Sequence, residues 1–242
     1  MYKDILISIV IPAYNEGHRI SSTLEKIHEY FKDKKFQYEV IVIDDGSLDN
    51  TIDVINKCGN LFDNIVLIEN GKNMGKGYSV REGMAEASGD LRLFMDADGS
   101  VDIKTLDSFI KYIPSGMDII IGSIEISNLT KEDDNHSYRR LFGKIAKILI
   151  RHIATPGIYD TQRGFKLFTR NASKIVFSRQ TIDRWGFDIE LIVIAQEHNL
   201  KIKELPVNWI NSKTSSVSLM SYFVTFYELF KIKFQSLLGK YK

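Results

Sequence analysis

Four short apolar segments, each ended by polar residues, alternate with helical segments through the first part of this chain. The apolar segments are Ile5–Ile11, Tyr38–Ile43, Ile65–Ile68 and the run that opens Leu91–Val101. Apolar side chains also recur at intervals of four and three from Ile20 to Phe31, which is the pattern of one helix face. Strands that alternate with helices pair in parallel through right-handed crossovers, with both sheet faces covered. The sequence therefore predicts an α/β fold with a doubly wound, mostly parallel sheet.

The ends of these elements are indicated by residues that break or cap regular structure. Proline cannot donate to a sheet ladder, so Pro12 is expected to end the first strand. Ser47 or Asp49 is available to cap a helix that runs to Cys58. A third helix is expected over Gly75–Ala87.

The second half of the chain is less regular. Its expected elements are a helix at Ile103–Ile113, a strand at Asp118–Gly122, a polar loop at Glu125–Ser137, an amphipathic helix at Tyr138–Ile153, a strand after the loop TPGIYDTQRG, a helix in RWGFDIELIVIAQEHN and a strand at Ile202–Trp209. The amphipathic helix has a positive stripe formed by Arg140, Lys144, Lys147 and Arg151. That stripe has two interpretations: an ordinary solvated face, or a site for phosphate or anionic lipid headgroups.

The C-terminal stretch Ser218–Leu238 has a helical period of its own. Its polar line consists of Ser221, Thr225, Glu228, Lys231 and Gln235. The rest of its surface is apolar or aromatic and consists of Leu219, Tyr222, Phe223, Phe226, Tyr227, Phe230, Phe234 and Leu238. So wide an apolar face can pack on the main domain, form a homodimer or lie in a membrane interface, and the pattern does not choose among these three.

Composition excludes some classes of protein. The 242 residues include 32 Lys and Arg against 31 Asp and Glu, so net charge gives no reason to expect nucleic acid as a partner. The single Cys58 excludes an internal disulfide and fits a reducing compartment, which predicts a cytoplasmic location. The apolar run before Pro12 is short and lacks the cleavage region of a signal peptide. No uncharged apolar run reaches about 18 residues, so we expect no transmembrane helix.

Polar residues follow three of the predicted strands at the sheet edge where α/β folds bind ligands. Asp96 and Asp98 follow the fourth strand, and in extended backbone residues two apart point to the same side. Two adjacent carboxylates repel unless a cation lies between them, and hard oxygen ligands suit Mg²⁺ or Mn²⁺ with positions left open for phosphates. The alternative is a solvated Asp-Gly turn.

Two other segments are expected at the same edge. A carboxylate after the second strand suits a ribose hydroxyl or a base N–H, and Asp45 is the candidate. The loop NMGKGYS places Lys76 and backbone N–H groups at a helix N-terminus, which favours phosphate. It lacks the spacing of a P-loop, and its alternative interpretation is a Gly-rich turn.

Five motifs follow one another in the first half: IPAYNE, VIDDGSLDNT, NMGKGYSVREGM, ASGD and MDADGS. As an ordered set they resemble the inverting nucleotide-sugar glycosyltransferases of sequence family two, which have the GT-A fold. The later segments YDTQRGFKLF, RWGFDIELIVIA and NSKTSS resemble the branch that transfers a sugar to dolichyl or another polyprenyl phosphate. Gly99 and Ser100 stand where mannosyl enzymes of that branch tend to have Leu-Gln, so the resemblance is closer to the glucosyltransferases.

The resemblance implies a division of labour along the chain. It implies one GT-A domain over residues 1–215, with a nucleotide-sugar-binding half at 1–125, an irregular acceptor half at 126–215 and a C-terminal amphipathic helix at 216–242. The implied donor-binding residues are Pro12, Ala13, Tyr14, Glu16, Asp44, Asp45, Lys76, Gly77, Asp96 and Ala97. The implied metal ligands are Asp96 and Asp98, of which Asp98 is the more direct. The implied catalytic and acceptor-loop residues are Asp96, Asp98, Asp160, Gln162 and Arg163, and the implied acceptor-phosphate residues are Arg139, Arg140, Arg151 and Lys213.

The resemblance also implies the reaction, in which glucose from UDP-glucose passes to dolichyl or another polyprenyl phosphate with inversion, aided by Mg²⁺ or Mn²⁺. A phosphate acceptor is already ionised near neutrality and needs no general base. One alternative is a saccharide or protein hydroxyl acceptor, with a base among Asp183, Asp188 and Glu190. Another is a catalytically silent nucleotide-sugar-binding or scaffolding protein. The lipid acceptor would place the enzyme peripherally on the cytoplasmic face of a membrane.

Overall fold

The structure is a computed structural model that describes residues 5–126, 148–210 and 219–242. Its strands are β1 (Leu6–Ala13), β2 (Gln37–Asp44), β3 (Ile65–Glu69), β4 (Leu91–Met95), β5 (Ile119–Ser123), β6 (Phe165–Thr169) and β7 (Ile202–Pro206). They form a seven-stranded sheet in the order β3-β2-β1-β4-β6-β5-β7. The sheet thus contains strands from both halves of the chain.

The helices lie between these strands and after the last one. They are α1 (Ile20–Lys32), α2 (Thr51–Cys58), α3 (Lys76–Glu86), α4 (Leu106–Ile110), α5 (Arg170–Phe177), α6 (Phe187–Glu197) and α7 (Leu219–Leu237). Residues 148–153 are also helical. The helix expected over Ile103–Ile113 is shorter than predicted, because α4 is flanked by 3₁₀ turns at Ile103–Thr105 and Ile113–Ser115. The expected polar loop and most of the expected basic helix, including Arg140, Lys144 and Lys147, lie outside the described residues.

The sheet is mostly parallel, as predicted. β1 pairs in parallel with β2 and β4, β2 with β3, and β5 with β7. β6 runs antiparallel to β4 and β5, with Phe165 opposite Met95. Since β6 begins where β4 ends, the segment that precedes β6 lies at the sheet edge where the carboxyl ends of the parallel strands meet.

The first strand continues through Pro12, so the prediction that this proline ends it is wrong. Pro12 lies in register with Ile43, and Ala13 with Asp44. The missing N–H costs no ladder bond, because β1 pairs with β4 only as far as Val10. On the β2 side the backbone N–H of Asp45 donates to the carbonyl of Ala13 at 2.8 Å.

The core consists of two layers, one on each face of the sheet. Ile9 and Leu93 belong to the layer under α1 and α4, whereas the adjacent Val10 and Phe94 belong to the layer under α3, α5 and α6. Successive strand residues therefore alternate between two buried faces, which is why the strands are continuous apolar runs.

The C-terminal helix α7 packs on the main domain against α6, which is one of the three arrangements that its pattern allowed. Leu229 and Ile232 are fully buried there. Glu228, on the expected polar line, is also buried and accepts from the backbone N–H of Gly186 at 2.7 Å. Four residues of the expected apolar face, Tyr227, Phe230, Phe234 and Leu238, are exposed and form a stripe with Leu237. The sequence pattern thus predicted the helix, but it did not show which residues face the core.

None of the helices in the described ranges combines the length and the hydropathy that crossing a bilayer requires.

The docking of α7 can be tested with a matched pair of leucines. Leu229 is fully buried and Leu237 is 73% exposed. Replacing Leu229 by alanine removes buried methyl groups and leaves a cavity, so we expect the free energy of unfolding to fall by about 2–5 kcal/mol. Leu237→Ala should change it by less than about 0.5 kcal/mol. Urea unfolding followed by circular dichroism measures both, and equal effects would show that α7 does not dock as described.

Candidate active site

The polar ends of β1, β2 and β4 meet at one edge of the sheet, as predicted. The backbone N–H of Asn15, after β1, donates to Ser47 Oγ after β2 at 2.9 Å, and Asn15 Oδ1 accepts from the N–H of Leu48 at 2.8 Å. The N–H of Glu16 donates to Thr51 Oγ1 at 2.8 Å. These bonds fix the loop after β1 to the loop after β2 and form one wall of the site.

Asp96 and Asp98 lie in a turn and not in extended backbone. The fourth strand ends at Met95, and the N–H of Gly99 returns to the carbonyl of Asp96 at 3.3 Å. Gly99 has a φ of +61°, a conformation that glycine adopts without strain. Asp98 Oδ1 accepts from the N–H of Ser100 at 2.9 Å. The alternation of side chains along a strand therefore does not set the directions of Asp96 and Asp98, which are set by this turn.

Lys76 is the cation next to this pair. It is the first residue of α3, and its Nζ lies 2.6 Å from Asp96 Oδ1. Burial lowers the pKa of Lys76, but Asp96, Asp188 and Asp98 more than offset this effect and hold its pKa above the ordinary value. Lys76 therefore stays protonated at the N-terminus of α3, where the helix dipole also favours an anion.

The loop before β6 closes the other side of Asp96. The N–H of Asp96 donates to the carbonyl of Gly164 at 3.0 Å. A Cβ added to Gly164 would lie 2.1 Å from the carboxylate of Asp96, so only glycine leaves room for this side chain. The acceptor loop predicted from the sequence is thus in direct contact with the first carboxylate of the pair.

The two carboxylates fit a divalent cation that shares its ligands with a substrate. Both supply the hard oxygen atoms that Mg²⁺ and Mn²⁺ prefer, and the space for Asp96 exists only because Gly164 lacks a side chain. In residues 5–126, 148–210 and 219–242, no group of three His, Cys, Asp or Glu side chains has the arrangement of a metal site. Asp96 and Asp98 would therefore hold the ion together with phosphate oxygens and water.

Asp44 and Asp45, both expected to bind the nucleoside, differ in their hydrogen bonds. Asp45 is buried, and its two oxygens accept from Asn70 Nδ2 and from the N–H groups of Met74 and Gly75, each at 2.9 Å. Its evident role is to shape the loop that leads to Lys76. Asp44 Oδ2 accepts from two backbone N–H groups, but its buried Oδ1 has no hydrogen-bond partner. A buried acceptor without a donor is costly, so Asp44 Oδ1 is the atom expected to receive one from a ligand.

The other residues that are expected to bind the donor differ in their solvent exposure. The Tyr14 ring is 43% exposed and can stack on a base. Glu16 is paired with Arg19 at 2.6 Å, and burial raises the pKa of Glu16 despite this partner. Pro12, Ala13, Gly77 and Ala97 are buried. These four buried residues contribute to the site by shaping its backbone.

The loop that contains Asp160, Gln162 and Arg163, which is expected to bind the acceptor, is hydrogen-bonded by carboxylates. Glu204 accepts from the N–H groups of Tyr159 and Asp160 at 3.0 and 2.8 Å. Asp160 Oδ2 accepts from the N–H of Ile124 at 3.1 Å and from Arg163 Nε at 3.0 Å. Asp160 is buried and Gln162 is exposed. The geometry gives Asp160 a positioning role, whereas Arg163 is half-buried beside the site.

One of the four expected acceptor-phosphate residues can be placed. Arg151 lies on the helical segment 148–153, with its guanidinium 4.8 Å from the centroid of the exposed Tyr159 ring. This contact places Arg151 next to the beginning of the acceptor loop. Arg139, Arg140 and Lys213 lie outside the described residues.

The three alternative general bases are all occupied. Asp188 is buried in a close ion pair with the buried Lys166, and burial raises the pKa of Asp188 despite the opposing effect of Lys166 and Lys76. Glu190 is fully buried and accepts from Thr181, Ile182 and Tyr241. Asp183 pairs with Arg81 at 2.8 Å. Each of the three carboxylates therefore already has a structural partner, which argues against a role as the base for a hydroxyl acceptor.

Sequence reasoning did not identify Lys166, Glu204 or Trp209. Lys166 lies inside the apolar run FKLF, and Glu204 and Trp209 lie on or just after a strand. A charged residue in a buried strand is unusual enough to indicate a partner. The partner itself depends on tertiary contacts.

Comparisons with known proteins show the family of this chain. The profile described as Glycosyl transferase family 2 matches residues 8–177. The dolichyl-phosphate beta-glucosyltransferase ALG5D of Trichomonas vaginalis is 36% identical over 225 residues, which cover 89% of this chain and 69% of that protein. The dolichyl-phosphate beta-glucosyltransferase of Homo sapiens is 36% identical over 226 residues, with 87% and 69% covered.

Solved structures show the same fold. The glucosyl-3-phosphoglycerate synthase of Mycobacterium tuberculosis in complex with UDP has a TM-score of 0.71 at 17% identity, covering 95% of this chain and 80% of that one. The structure of the synthase with Mn²⁺, UDP-glucose and phosphoglyceric acid has a TM-score of 0.70 at 17% identity, with the same coverage. At this identity the likeness establishes the GT-A fold.

The role of Asp188 can be tested through stability. Asp188→Asn leaves the buried ammonium of Lys166 without its charged partner, and we expect the free energy of unfolding to fall by about 3–5 kcal/mol. The double variant Lys166→Met/Asp188→Leu removes both charges and should recover most of that loss. Urea unfolding measures both. An Asp188→Asn protein of normal stability would contradict the structural role and restore Asp188 as a candidate base.

Proposed function

The chain belongs to glycosyl transferase family 2 and is a glycosyltransferase, and from this premise we propose that it transfers glucose from UDP-glucose to dolichyl or another polyprenyl phosphate with inversion. A single observation supports this proposal best. The carboxylate pair Asp96 and Asp98 has Lys76 on one side and the loop containing Arg163 and Gly164 on the other. Lys76 and the loop that carries the cationic Arg163 thus flank the carboxylate pair, where the two phosphate groups would meet.

The donor half of the proposal follows from the sheet edge. Asp44 Oδ1 would accept a hydrogen bond from the uridine, and Tyr14 would stack on the base. Lys76 and the N-terminus of α3 would bind the diphosphate. The solved relative with Mn²⁺ and UDP-glucose has the same fold, which supports a similar donor and a divalent cation here.

The acceptor half follows from the relatives and from the charges. The curated relatives are dolichyl-phosphate glucosyltransferases. A phosphate acceptor needs positive charge and positioning, and Arg163 provides a guanidinium in the loop that contacts Asp96 through Gly164. A hydroxyl acceptor would need a base, and Asp183, Asp188 and Glu190 are engaged elsewhere. We therefore favour the phosphate acceptor.

The chain's residues would act mainly by positioning and by electrostatic stabilisation. Arg163 would orient a phosphate oxygen toward the anomeric carbon, opposite the departing UDP, so that one bond forms as the other breaks. Lys76 would stabilise the negative charge that develops on UDP. Asp96 and Asp98 would hold Mg²⁺ or Mn²⁺, which when bound supplies further positive charge to the leaving group.

We also propose that the enzyme is peripheral on the cytoplasmic face of a membrane, with α7 as the contact. The exposed stripe of Tyr227, Phe230, Phe234, Leu237 and Leu238 follows one face of the helix. The basic side chains near it are Lys231, Lys233, Lys240 and Lys242, whereas the one carboxylate of the segment 224–242, Glu228, is buried. Exposed aromatic and lysine side chains suit the interface of an anionic bilayer.

The reaction can be tested with labelled donors. Purified enzyme with Mn²⁺ or Mg²⁺ should transfer label from UDP-glucose, and not from GDP-mannose, to dolichyl phosphate in detergent, as measured in the organic phase. Asp98→Asn should lower this rate by about 100-fold or more, because it removes charge that holds the cation. Asp33→Asn, an exposed carboxylate just after α1, is the control and should leave the rate unchanged.

The phase in which the labelled product is found distinguishes a lipid-phosphate acceptor from a water-soluble hydroxyl acceptor. Label that appears only in water-soluble product, without any need for lipid, would contradict the proposed acceptor. Label from GDP-mannose alone would contradict the proposed donor.

The membrane contact can be tested by sedimentation with vesicles of phosphatidylcholine and phosphatidylserine. Phe234→Glu removes an exposed aromatic ring and adds a negative charge, so we expect the bound fraction to fall by about tenfold or more. Leu61→Glu, on the opposite face of the sheet, is the matched control and should bind normally. Unchanged binding by Phe234→Glu would contradict this contact, and a monomer–dimer change in light scattering would identify a homodimer instead.

A further inference from the structure

Arg163 is held from two directions. Its Nε donates to Asp160 Oδ2 at 3.0 Å, and its guanidinium carbon lies 4.9 Å from the centroid of the Trp209 ring. Its backbone is also fixed, because Lys166 Nζ donates to the carbonyl of Arg163 at 2.5 Å. Among the described residues, no hydrogen bond uses the two terminal nitrogens of this guanidinium. Those two nitrogens form the fork that binds phosphate.

Trp209 is attached to the turn that contains Asp98. Val101 and Trp209 form an antiparallel bridge, and the N–H of Ile210 donates to the carbonyl of Ser100 at 2.9 Å. The Trp209 side chain is half-buried against the core layer that contains Val101. Through this attachment the ring keeps a fixed position relative to the carboxylate turn, and Arg163 lies on that ring.

The backbone of this loop is hydrogen-bonded near both of its ends. Glu204 holds the N–H groups of Tyr159 and Asp160, and Gly164 is bonded to Asp96. A long arginine side chain keeps several rotatable bonds even when its backbone is fixed. Asp160 restrains Nε, and the flat Trp209 ring restrains the plane of the guanidinium by stacking.

We propose that Trp209 is a positioning residue that orients the Arg163 guanidinium to bind the phosphate group of the acceptor beside Asp98. This inference rests on the proposed function, since it concerns how the same site recognises a phosphate monoester. Trp209 does not touch the reacting atoms. Its effect passes through Arg163, and it should therefore influence the acceptor and not the nucleotide-sugar donor.

The test compares Trp209→Leu with Trp209→Phe in the full chain. We expect Trp209→Leu to raise the KM for dolichyl phosphate about five- to thirtyfold, the effect of losing a partly desolvated cation–π contact. The KM for UDP-glucose should change by less than about twofold. Trp209→Phe keeps an aromatic face and should restore most of the acceptor affinity.

A double-mutant cycle separates positioning from a general loss of structure. Arg163→Lys should also raise the acceptor KM, because lysine lacks the bidentate fork. In the Arg163→Lys background, Trp209→Leu should add little, since the interaction it supports is already gone. Independent, multiplicative effects of the two substitutions would overturn the inference.

Two further outcomes would also overturn it. One is an unchanged acceptor KM in Trp209→Leu, and the other is an equal rise in both KM values with a lower thermal midpoint, which indicates a structural role only. Failure of the proposed function is distinguishable from these results, because the wild-type enzyme would then transfer no glucose to dolichyl phosphate at all.

Discussion

Two carboxylates at the end of β4 repel each other, and the surrounding residues are arranged to compensate for that repulsion. Lys76, the first residue of α3, lies against Asp96 at the helix N-terminus, where the dipole favours negative charge. The backbone of Gly164 contacts the same carboxylate from the other side. A diphosphate would bring negative charge next to Lys76, and its divalent cation would bring positive charge next to the carboxylates. The site is therefore suited to such a ligand and not to an uncharged one.

Charged groups that lie farther from this edge have mainly structural partners. Lys166 and Asp188 neutralise each other beneath the site, and Glu190 holds the turn before α6 and the C-terminal Tyr241. Breaking one pair in such a network would leave an uncompensated charge in the interior, which would destabilise the fold. For this reason these carboxylates are not free to act as bases. At the carboxylate turn, by contrast, Lys76 pairs with Asp96, and Arg163 lies in the adjacent loop. Two cationic residues near Asp96 and Asp98, with the candidate bases engaged elsewhere, are the physical reason to favour a phosphate acceptor over a hydroxyl acceptor.

The fold and the location of the site could be predicted from local patterns. Apolar runs ended by polar residues specify strands that end at one edge, so Asp96, Asp98 and Lys76 were expected together. The different hydrogen bonding of Asp44 and Asp45 could not be predicted, because it depends on which backbone N–H groups the following turns direct toward each carboxylate. The side of α7 that faces the core could not be predicted either, since Glu228 finds a backbone donor at Gly186 and thereby becomes an interior residue.

The central claim is that Asp96 and Asp98 hold a divalent cation that binds the donor's diphosphate. The most direct measurement is calorimetric titration of the wild-type protein with UDP, in the presence of Mn²⁺ and in the presence of excess chelator. The account predicts that UDP binds at least about tenfold more tightly with Mn²⁺, because both carboxylates would otherwise repel the diphosphate. Equal affinity with and without the metal would contradict it.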